Sequence, residues 1–214
     1  MDNCTFINNI ATYGGAINVE CNYLNLCTNV IKNSNFINNT ALSRGGAIKY
    51  SSYVPTLENN RFENNIADFS ENIASYAVRV FQVVDEELVE IERLDNIASG
   101  MQLDNVIALA LTNSQGKVMV NDNESSIRII PLTIITEVAG QDTVRVINGV
   151  GTFTAMELIA APGLDGIEFL LFSSAIDYDM IKHIDPEKYP DQVFTVNFRW
   201  CKPGEIQRGN ICTA

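Results

Sequence analysis

The first third of the chain repeats itself, and this repeat constrains the fold more than any other feature. Two copies share the pattern F-x-N-N-x-A followed by G-G-A-I, at residues 6–17 and 36–48. A third copy, at residues 62–74, keeps the first half and ends in the degenerate sequence E-N-I-A. The phenylalanines of the three copies are separated by 30 and 26 residues. A period of this size is typical of solenoid proteins.

The units favour a parallel β-helix over a helical solenoid, because short β-prone runs alternate with Asn and Gly, which form helices poorly. Each unit is then one coil, and equivalent residues lie about 4.8 Å apart along the stack. We expect an interior aromatic column and an interior aliphatic column, made by Phe6, Phe36 and Phe62 and by Ile17 and Ile48. An amide ladder at a turn is expected from one Asn of each pair, either Asn8, Asn38 and Asn64 or Asn9, Asn39 and Asn65.

This repeat resembles the repeats of chlamydial polymorphic outer-membrane proteins, and it is similar to repeats in large surface proteins of ciliates and other protists. The resemblance covers residues 1–74 and implies an extracellular right-handed β-helix that serves as a stalk or an adhesive surface. The decayed third copy fits a terminal capping coil.

The composition changes after Ala74, where alternating β-branched runs and turn signals predict about seven strands. Two of these runs are Ser126 to Ile135 and Gly151 to Ala160. The turn at Asn113 to Gly116 and the motif A-P-G at residues 161–163 resemble those of filamin-type and invasin-like immunoglobulin-fold domains. We therefore expect an all-β protein: a short right-handed parallel β-helix at 1–74, then an immunoglobulin-like β-sandwich at 75–198.

The last residues, 199–214, carry Cys201, a Lys-Pro-Gly run and Cys212. This segment resembles the start of the cysteine-rich modules of ephrin-receptor-like and growth-factor-receptor-like ectodomains. Such modules are extracellular and are held by disulfides. Because the chain opens inside a repeat and stops inside a cysteine motif, both termini are interpreted as cuts in a longer protein.

The five cysteines are clustered near the two ends of the chain and are candidates for disulfides within each end: Cys4, Cys21, Cys27, Cys201 and Cys212. The odd count leaves one thiol for a partner outside this sequence. Buried reduced cysteines in a cytosolic protein remain the alternative. With no CxxC pair and His183 as the only histidine, a zinc site of ordinary spacing is not expected, and no other metal or cofactor is predicted.

Three triplets fit the N-glycosylation pattern, at Asn3, Asn38 and Asn123. Residues 1–4 do not resemble a signal peptide, and no run approaches the about 20 apolar residues of a membrane span. The repeats and the cysteine motif nevertheless favour an extracellular or cell-surface location.

The formal charge of −12 and the absence of a basic cluster argue against nucleic-acid binding. Catalysis is not expected, because no acidic residue of the repeats recurs at one repeat position, as the scattered Glu20, Glu58 and Asp68 illustrate. The first hypothesis is a structural or adhesive surface protein, such as a filament or coat subunit. The second is a carbohydrate-binding or polysaccharide-cleaving β-helix protein. The expected partners are copies of the chain, further domains of a longer chain, and glycans.

Overall fold

The computed structural model describes residues 1–20, 29–50, 55–103, 106–179, 181, 187 and 189–213. Within these residues the chain is all-β, as predicted, with strands of two to eight residues and almost no helix. Three consecutive coils begin the chain, which we call coil 1 (residues 2–19), coil 2 (30–50) and coil 3 (56–74). Their strands are β1 (Thr5–Ile7), β2 (Ile10–Tyr13) and β3 (Ile17–Val19); β4 (Val30–Lys32), β5 (Asn35–Ile37), β6 (Thr40–Arg44) and β7 (Ile48–Tyr50); and β8 (Thr56–Glu58), β9 (Arg61–Glu63), β10 (Ile66–Phe69) and β11 (Ile73–Ala74).

The coils stack through parallel strand pairs that keep the repeat in register. The described sheets are β1-β5-β9, β2-β6-β10, β3-β7-β11 and the pair β4-β8. Phe36 lies opposite Phe6 on one side and opposite Phe62 on the other. Residues with the same repeat position therefore form columns along the stack. This register confirms the predicted stack of parallel coils.

Alternate side chains of each short strand point into the stack, and the inward side chains of the central cluster are apolar. The buried cluster includes Ile31, Phe36 and Ile48. Coil 3 extends the aliphatic column beyond its predicted members, since Ile73 pairs with Ile48, which in turn pairs with Ile17. The degenerate ending of the third copy thus keeps the core isoleucine, while Ser70, Glu71 and Asn72 replace the Gly-Gly-Ala of the other copies.

The remainder of the chain is also built from strands. They are β12 (Ala77–Val84), β13 (Glu87–Val89), β14 (Arg93–Ile97), β15 (Ile107–Asn113), β16 (Ser126–Pro131), β17 (Glu137–Gly140), β18 (Thr143–Ile147), β19 (Val150–Phe153), β20 (Met156–Ile159), β21 (Ile167–Ser173), β22 (Val193–Phe198), β23 (Ile206–Arg208) and β24 (Ile211–Thr213). Among the described residues, no helix has both the length and the apolar character to cross a membrane.

A nine-stranded sheet, in the order β13-β12-β15-β19-β18-β16-β21-β22-β14, dominates this part of the chain. Its described pairs are antiparallel except β14 with β22, which is parallel. In β18, Val144 and Val146 are buried while Arg145 and Ile147 are exposed. This alternation is typical of a sheet that packs on a core with one face. Two small sheets, β17-β20 and β23-β24, complete the described strands.

Two of the predicted strands were too long. The run predicted from Ser126 to Ile135 ends as a strand at Pro131, after which the backbone N–H of Thr136 donates to the carbonyl of Thr133 in a turn. The run predicted from Gly151 to Ala160 is divided into β19 and β20. The two-residue break between them is held by Gln141, whose Oε1 accepts the backbone N–H groups of residues 154 and 155.

The chain divides into two compact units. Unit 1 contains residues Met1–Val78, Thr112–Asn121 and Asp177–Pro190, and unit 2 contains Arg79–Leu111, Asp122–Ile176 and Asp191–Ala214. The coils therefore share a unit with two segments that are distant in sequence. The domain boundaries predicted after residues 74 and 198 remain predictions.

Candidate functional site: the coil stack

Exposed asparagines with left-handed backbone form two corners of every coil. One column has φ values of 54°, 50° and 50°, and the other has 55°, 53° and 49°. Asn tolerates this region better than other residues with a Cβ, because its short amide can bond locally. The columns are Asn3, Asn33 and Asn59, and Asn8, Asn38 and Asn64. The first Asn of each N-N pair is therefore a corner residue whose side chain faces solvent.

The second Asn of each pair forms the amide ladder. Oδ1 of Asn39 accepts the backbone N–H and the side-chain N–H of Asn9, at 3.1 and 2.7 Å. Oδ1 of Asn65 accepts the same two groups of Asn39, each at 3.0 Å. Asn39 and Asn65 are buried, and buried amides are tolerated only when their hydrogen bonds are made. Of the two alternatives, the ladder of Asn9, Asn39 and Asn65 is the one present.

A second polar column, which was not predicted from the sequence, lies next to the other corner of each coil, the one formed by Asn3, Asn33 and Asn59. Oγ of Ser34 accepts the backbone N–H of Cys4 at 3.1 Å, and Oδ1 of Asn60 accepts the backbone N–H of Ser34 at 2.9 Å. The side-chain amide of Asn60 also donates to the carbonyl of Ile31. These positions have the same spacings of 30 and 26 residues as the phenylalanines. The repeat spacing at these positions is present in the sequence, but the column is hard to recognise because its three positions carry three different residue types.

The aromatic rings of the repeat stack face to face in the interior. The ring centroids of Phe6 and Phe36 lie 5.0 Å apart with an interplanar angle of 6°, and those of Phe36 and Phe62 lie 5.1 Å apart at 10°. Phe36 is fully buried, whereas Phe6 and Phe62 are partly exposed. Among the described residues, neither terminal ring has the second stacked ring that Phe36 has.

The Gly-Gly bend is required by the close approach of successive coils. A Cβ on Gly15 would lie 2.1 Å from the carbonyl oxygen of Gly46, and a Cβ on Gly46 would lie 2.1 Å from that of Glu71. Such distances are far inside van der Waals contact, so neither position tolerates a side chain. Coil 3 has Glu71 at the same position. The residue before it, Ser70, keeps the left-handed conformation of the repeat's first glycine, with φ of 56° against 58° and 65° for Gly14 and Gly45.

A buried lysine lies on the side of the stack formed by β3, β7 and β11. Lys49 is 2% exposed and pairs with the carboxylate of Glu20. Its Nζ lies 4.4 Å from the ring centroid of Tyr76 and 6.0 Å from that of Tyr13. The carboxylate and the electron-rich ring faces together offset the cost of burying the ammonium group. Both tyrosine rings remain partly accessible, at 38% and 48%.

The described cysteines fall into two kinds. Cys201 and Cys212 form a disulfide with a Cα–Cα distance of 5.5 Å, whereas Cys4 is a free, half-buried thiol. Cys21 and Cys27 lie outside the described residues, so the disulfide predicted within the N-terminal cluster stays a prediction. The single group of metal-ligand side chains within the described residues is Cys201, Glu205 and Cys212. Both of its sulfurs are already in the disulfide and cannot act as thiolate ligands.

The disulfide ties down a β-hairpin within unit 2. The Arg199 guanidinium holds the carboxylate of Glu205 through two hydrogen bonds of 2.7 and 2.8 Å, and the backbone N–H of Lys202 donates to the same carboxylate. These hydrogen bonds, Arg199 first, lower the pKa of Glu205 to about 2. The hairpin also contacts the loop at Gly100, where a Cβ would lie 2.3 Å from the Ile211 side chain.

The three glycosylation candidates are all exposed. Asn3 and Asn38 are left-handed corner residues, so Asn38 is not part of the ladder. Oδ1 of Asn123 accepts the backbone N–H of Asn148 at 2.9 Å. The side chain of Asn123 is therefore engaged in holding a turn as well as facing solvent.

The column residues of coil 1 and coil 2 lie within the segments of the chain that match a known repeat family. Residues 3–20 and 33–50 match the Chlamydia polymorphic membrane protein repeat. The match covers coil 1 and most of coil 2, including both Gly-Gly bends and two members of each column. A search of curated proteins found no match to this chain.

Proposed function

We propose that this protein is an extracellular structural or adhesive surface protein, without catalytic activity, whose coils act as a rigid scaffold. The observation that carries the proposal is the stack of coils with continuous Phe and Asn columns, in which the first two copies match the Chlamydia polymorphic membrane protein repeat. The name of that family describes membrane proteins, which supports a location at the cell surface. The columns support a structural role, because the ladder amides and the rings of each coil bond and stack against those of the next coil.

The disulfide gives independent support for the outside of the cell. Disulfides persist in oxidising compartments and are rare in the cytosol. The hairpin closed by Cys201 and Cys212 also supports the reading of residues 199–214 as the start of an ephrin-receptor-like module. The alternating burial of the nine-stranded sheet supports the reading of residues 75–198 as an immunoglobulin-like sandwich.

Labelling of intact cells tests the location. Antibody against unit 2 should stain cells that produce the protein without permeabilisation, and external protease should remove the signal while a cytosolic control protein is spared. Staining that requires permeabilisation would exclude a surface role. Self-association, as in a filament or coat, would appear as sedimenting species larger than one chain in the native material.

Carbohydrate binding is the second candidate, favoured by the partly exposed rings of Tyr13 and Tyr76 beside the buried Lys49. Ligand sites commonly combine aromatic faces with a few fixed polar groups. A glycan array probed with the parent chain and with the variant Tyr76→Ala tests this candidate. Loss of a defined glycan signal in the variant would favour it over a purely structural role.

A further inference from the structure

The turn between β16 and β17 presents its apolar side chains to solvent. Leu132 is 45% exposed, Ile135 is 58% exposed, and Ile134 is fully exposed. The turn is held by its own polar groups, since the backbone N–H and the hydroxyl of Thr136 both donate to the carbonyl of Thr133, at 3.2 and 2.7 Å. Polar groups of this turn are thus paired within it, while its aliphatic side chains face outward.

The strand pairs show what lies beside this turn. The turn follows Pro131, the last residue of β16, which pairs with Phe169 near the start of β21. It precedes Glu137, the first residue of β17, which pairs with Ile159 at the end of β20. The loop of residues 160–166, which joins β20 to β21, therefore lies beside the turn at one end of unit 2.

Trp200 projects from the same end of unit 2. A Cβ on Gly163, within the neighbouring loop, would lie 2.3 Å from its indole ring, so one side of the ring rests against that loop. The ring is still 71% exposed, and the next residue, Cys201, is fixed by its disulfide. Four exposed side chains form what we call the apolar tip: Leu132, Ile134, Ile135 and Trp200.

The area of the apolar tip is small for a protein partner. Counting each exposed fraction at the about 150–250 Å² of a large aromatic side chain gives an upper limit of about 400–700 Å². A standard protein–protein interface takes about 800 Å² from each partner. The tip alone is therefore too small to hold a second copy of the chain or another protein stably.

A lipid surface matches the composition and the charge of the tip. Aliphatic side chains enter the boundary of the acyl region, while Trp prefers the level of the headgroups. Exposed charges of both signs flank the tip, from Glu137, Asp165 and Lys202, and the chain carries a formal charge of −12. Attraction to anionic lipids requires a basic cluster, so the tip fits a zwitterionic surface.

We propose that the apolar tip of unit 2 inserts into a zwitterionic lipid bilayer and holds the protein peripherally on a membrane surface. Ile134, Ile135 and Leu132 enter the acyl boundary, and Trp200 lies among the headgroups. The hydrogen bonds within the turn favour this insertion, because backbone groups that leave water without a partner are costly in lipid. The proposal rests on side chains of unit 2 alone and is independent of the structural role proposed for the coils.

Vesicles of phosphatidylcholine alone, mixed with the full chain, test the proposal. Trp200 is the single tryptophan of the chain, so tryptophan fluorescence reports on the tip. The variant Ile134→Asp is compared with the control Ile147→Asp, which adds the same charge at a 52% exposed position. Because β18 runs antiparallel to β16, Ile147 lies at the opposite end of unit 2. The readouts are flotation with the vesicles and quenching of Trp200 by lipids brominated on their acyl chains.

The parent chain and Ile147→Asp should float with the vesicles, with a blue-shifted Trp200 emission that brominated lipids quench. Ile134→Asp should lower the partition coefficient by about tenfold or more, because a charged side chain resists entry into the bilayer. Both variants should melt at the temperature of the parent, since both side chains are exposed.

Four outcomes would overturn the proposal. The first is a parent chain that does not float with phosphatidylcholine, or floats only when anionic lipid is added. The second is an equal loss of binding in both variants. The third is a lowered melting temperature of Ile134→Asp, which would show that Ile134 is packed in the fold. The fourth is self-association without vesicles that Ile134→Asp abolishes, which would make the tip a contact between chains.

Discussion

Asn39 donates a side-chain N–H to Oδ1 of Asn65 across 3.0 Å, and both side chains are buried. This contact joins coil 2 to coil 3 in the buried part of the stack. A buried amide contributes to stability only as long as its partners remain paired. The ladder is therefore a place where a single side-chain substitution affects two coil interfaces together.

Replacing Asn39 by Leu should lower the free energy of unfolding by about 1–3 kcal/mol or more, because it leaves amide groups of Asn9 and Asn65 without partners. Denaturant unfolding measures the change. The control is Asn38→Gly, which keeps the left-handed corner and removes only an exposed amide, and it should change stability by no more than about 0.5 kcal/mol. Equal effects of the two substitutions would contradict the ladder.

Replacing Phe36 by Ala should cost about 3–5 kcal/mol, because this ring is fully buried between two others and leaves a cavity. Leu42 is in the same coil and is 64% exposed, so Leu42→Ala serves as the control and should change stability by no more than about 0.5 kcal/mol. Thermal or denaturant unfolding compares the two. A Phe36→Ala variant as stable as the control would show that the ring stack does not stabilise the coils.

Replacing Gly46 by Ala should destabilise the stack more than the same change at Gly116. Gly116 has a left-handed backbone, with φ of 74°, but open space around a Cβ, so its substitution should cost about 1–2 kcal/mol. At Gly46 the added methyl group would meet the carbonyl of Glu71, and the two coils must separate to accept it. If Gly116→Ala proves as costly as Gly46→Ala in unfolding experiments, the close approach of the coils does not limit this position.

Thiol labelling of the unfolded, unreduced protein should find at most one free cysteine, and mass spectrometry should place it at Cys4. The expectation follows from the disulfide between Cys201 and Cys212 and the free thiol of Cys4. It also uses the prediction that two cysteines of the N-terminal cluster are paired, which leaves Cys21 and Cys27 once Cys4 is free. Labelling of all five cysteines in native material would indicate a reducing compartment and would remove the argument for the cell exterior.

The pair of Arg199 and Glu205 should make stability depend on pH in the acidic range. The pKa of Glu205 falls from its ordinary value of 4.5 to about 2 in the folded protein. A lowered pKa means that the folded state favours the carboxylate, so the stabilisation is complete above about pH 5 and is lost as the pH falls toward 2. The difference in stability between the parent and Glu205→Gln should shrink over that range. A difference that does not change between pH 6 and pH 2 would contradict the assignment.

The periodic features could be read from the sequence because stacking forces equivalent residues into identical surroundings. A column of Phe6, Phe36 and Phe62 follows from their spacing alone once the units are recognised as coils. The same spacing linked Cys4, Ser34 and Asn60, but that column depends on backbone N–H groups as donors. Ser34 accepts through a hydroxyl and Asn60 through an amide, while Cys4 contributes only its backbone N–H, so their shared role is not visible as a shared residue.

The sequence by itself determined the number of coils, the parallel stacking and the interior positions of the aromatic and aliphatic residues. Only the tertiary structure decided which Asn of each pair points inward, because neighbouring residues face opposite sides and a period cannot distinguish them. The tertiary structure also decided that residues 112–121 and 177–190 belong to the same compact unit as the coils. Those outcomes depend on how closely atoms of residues far apart in the sequence approach each other in space. The local pattern of residues does not specify these spatial distances.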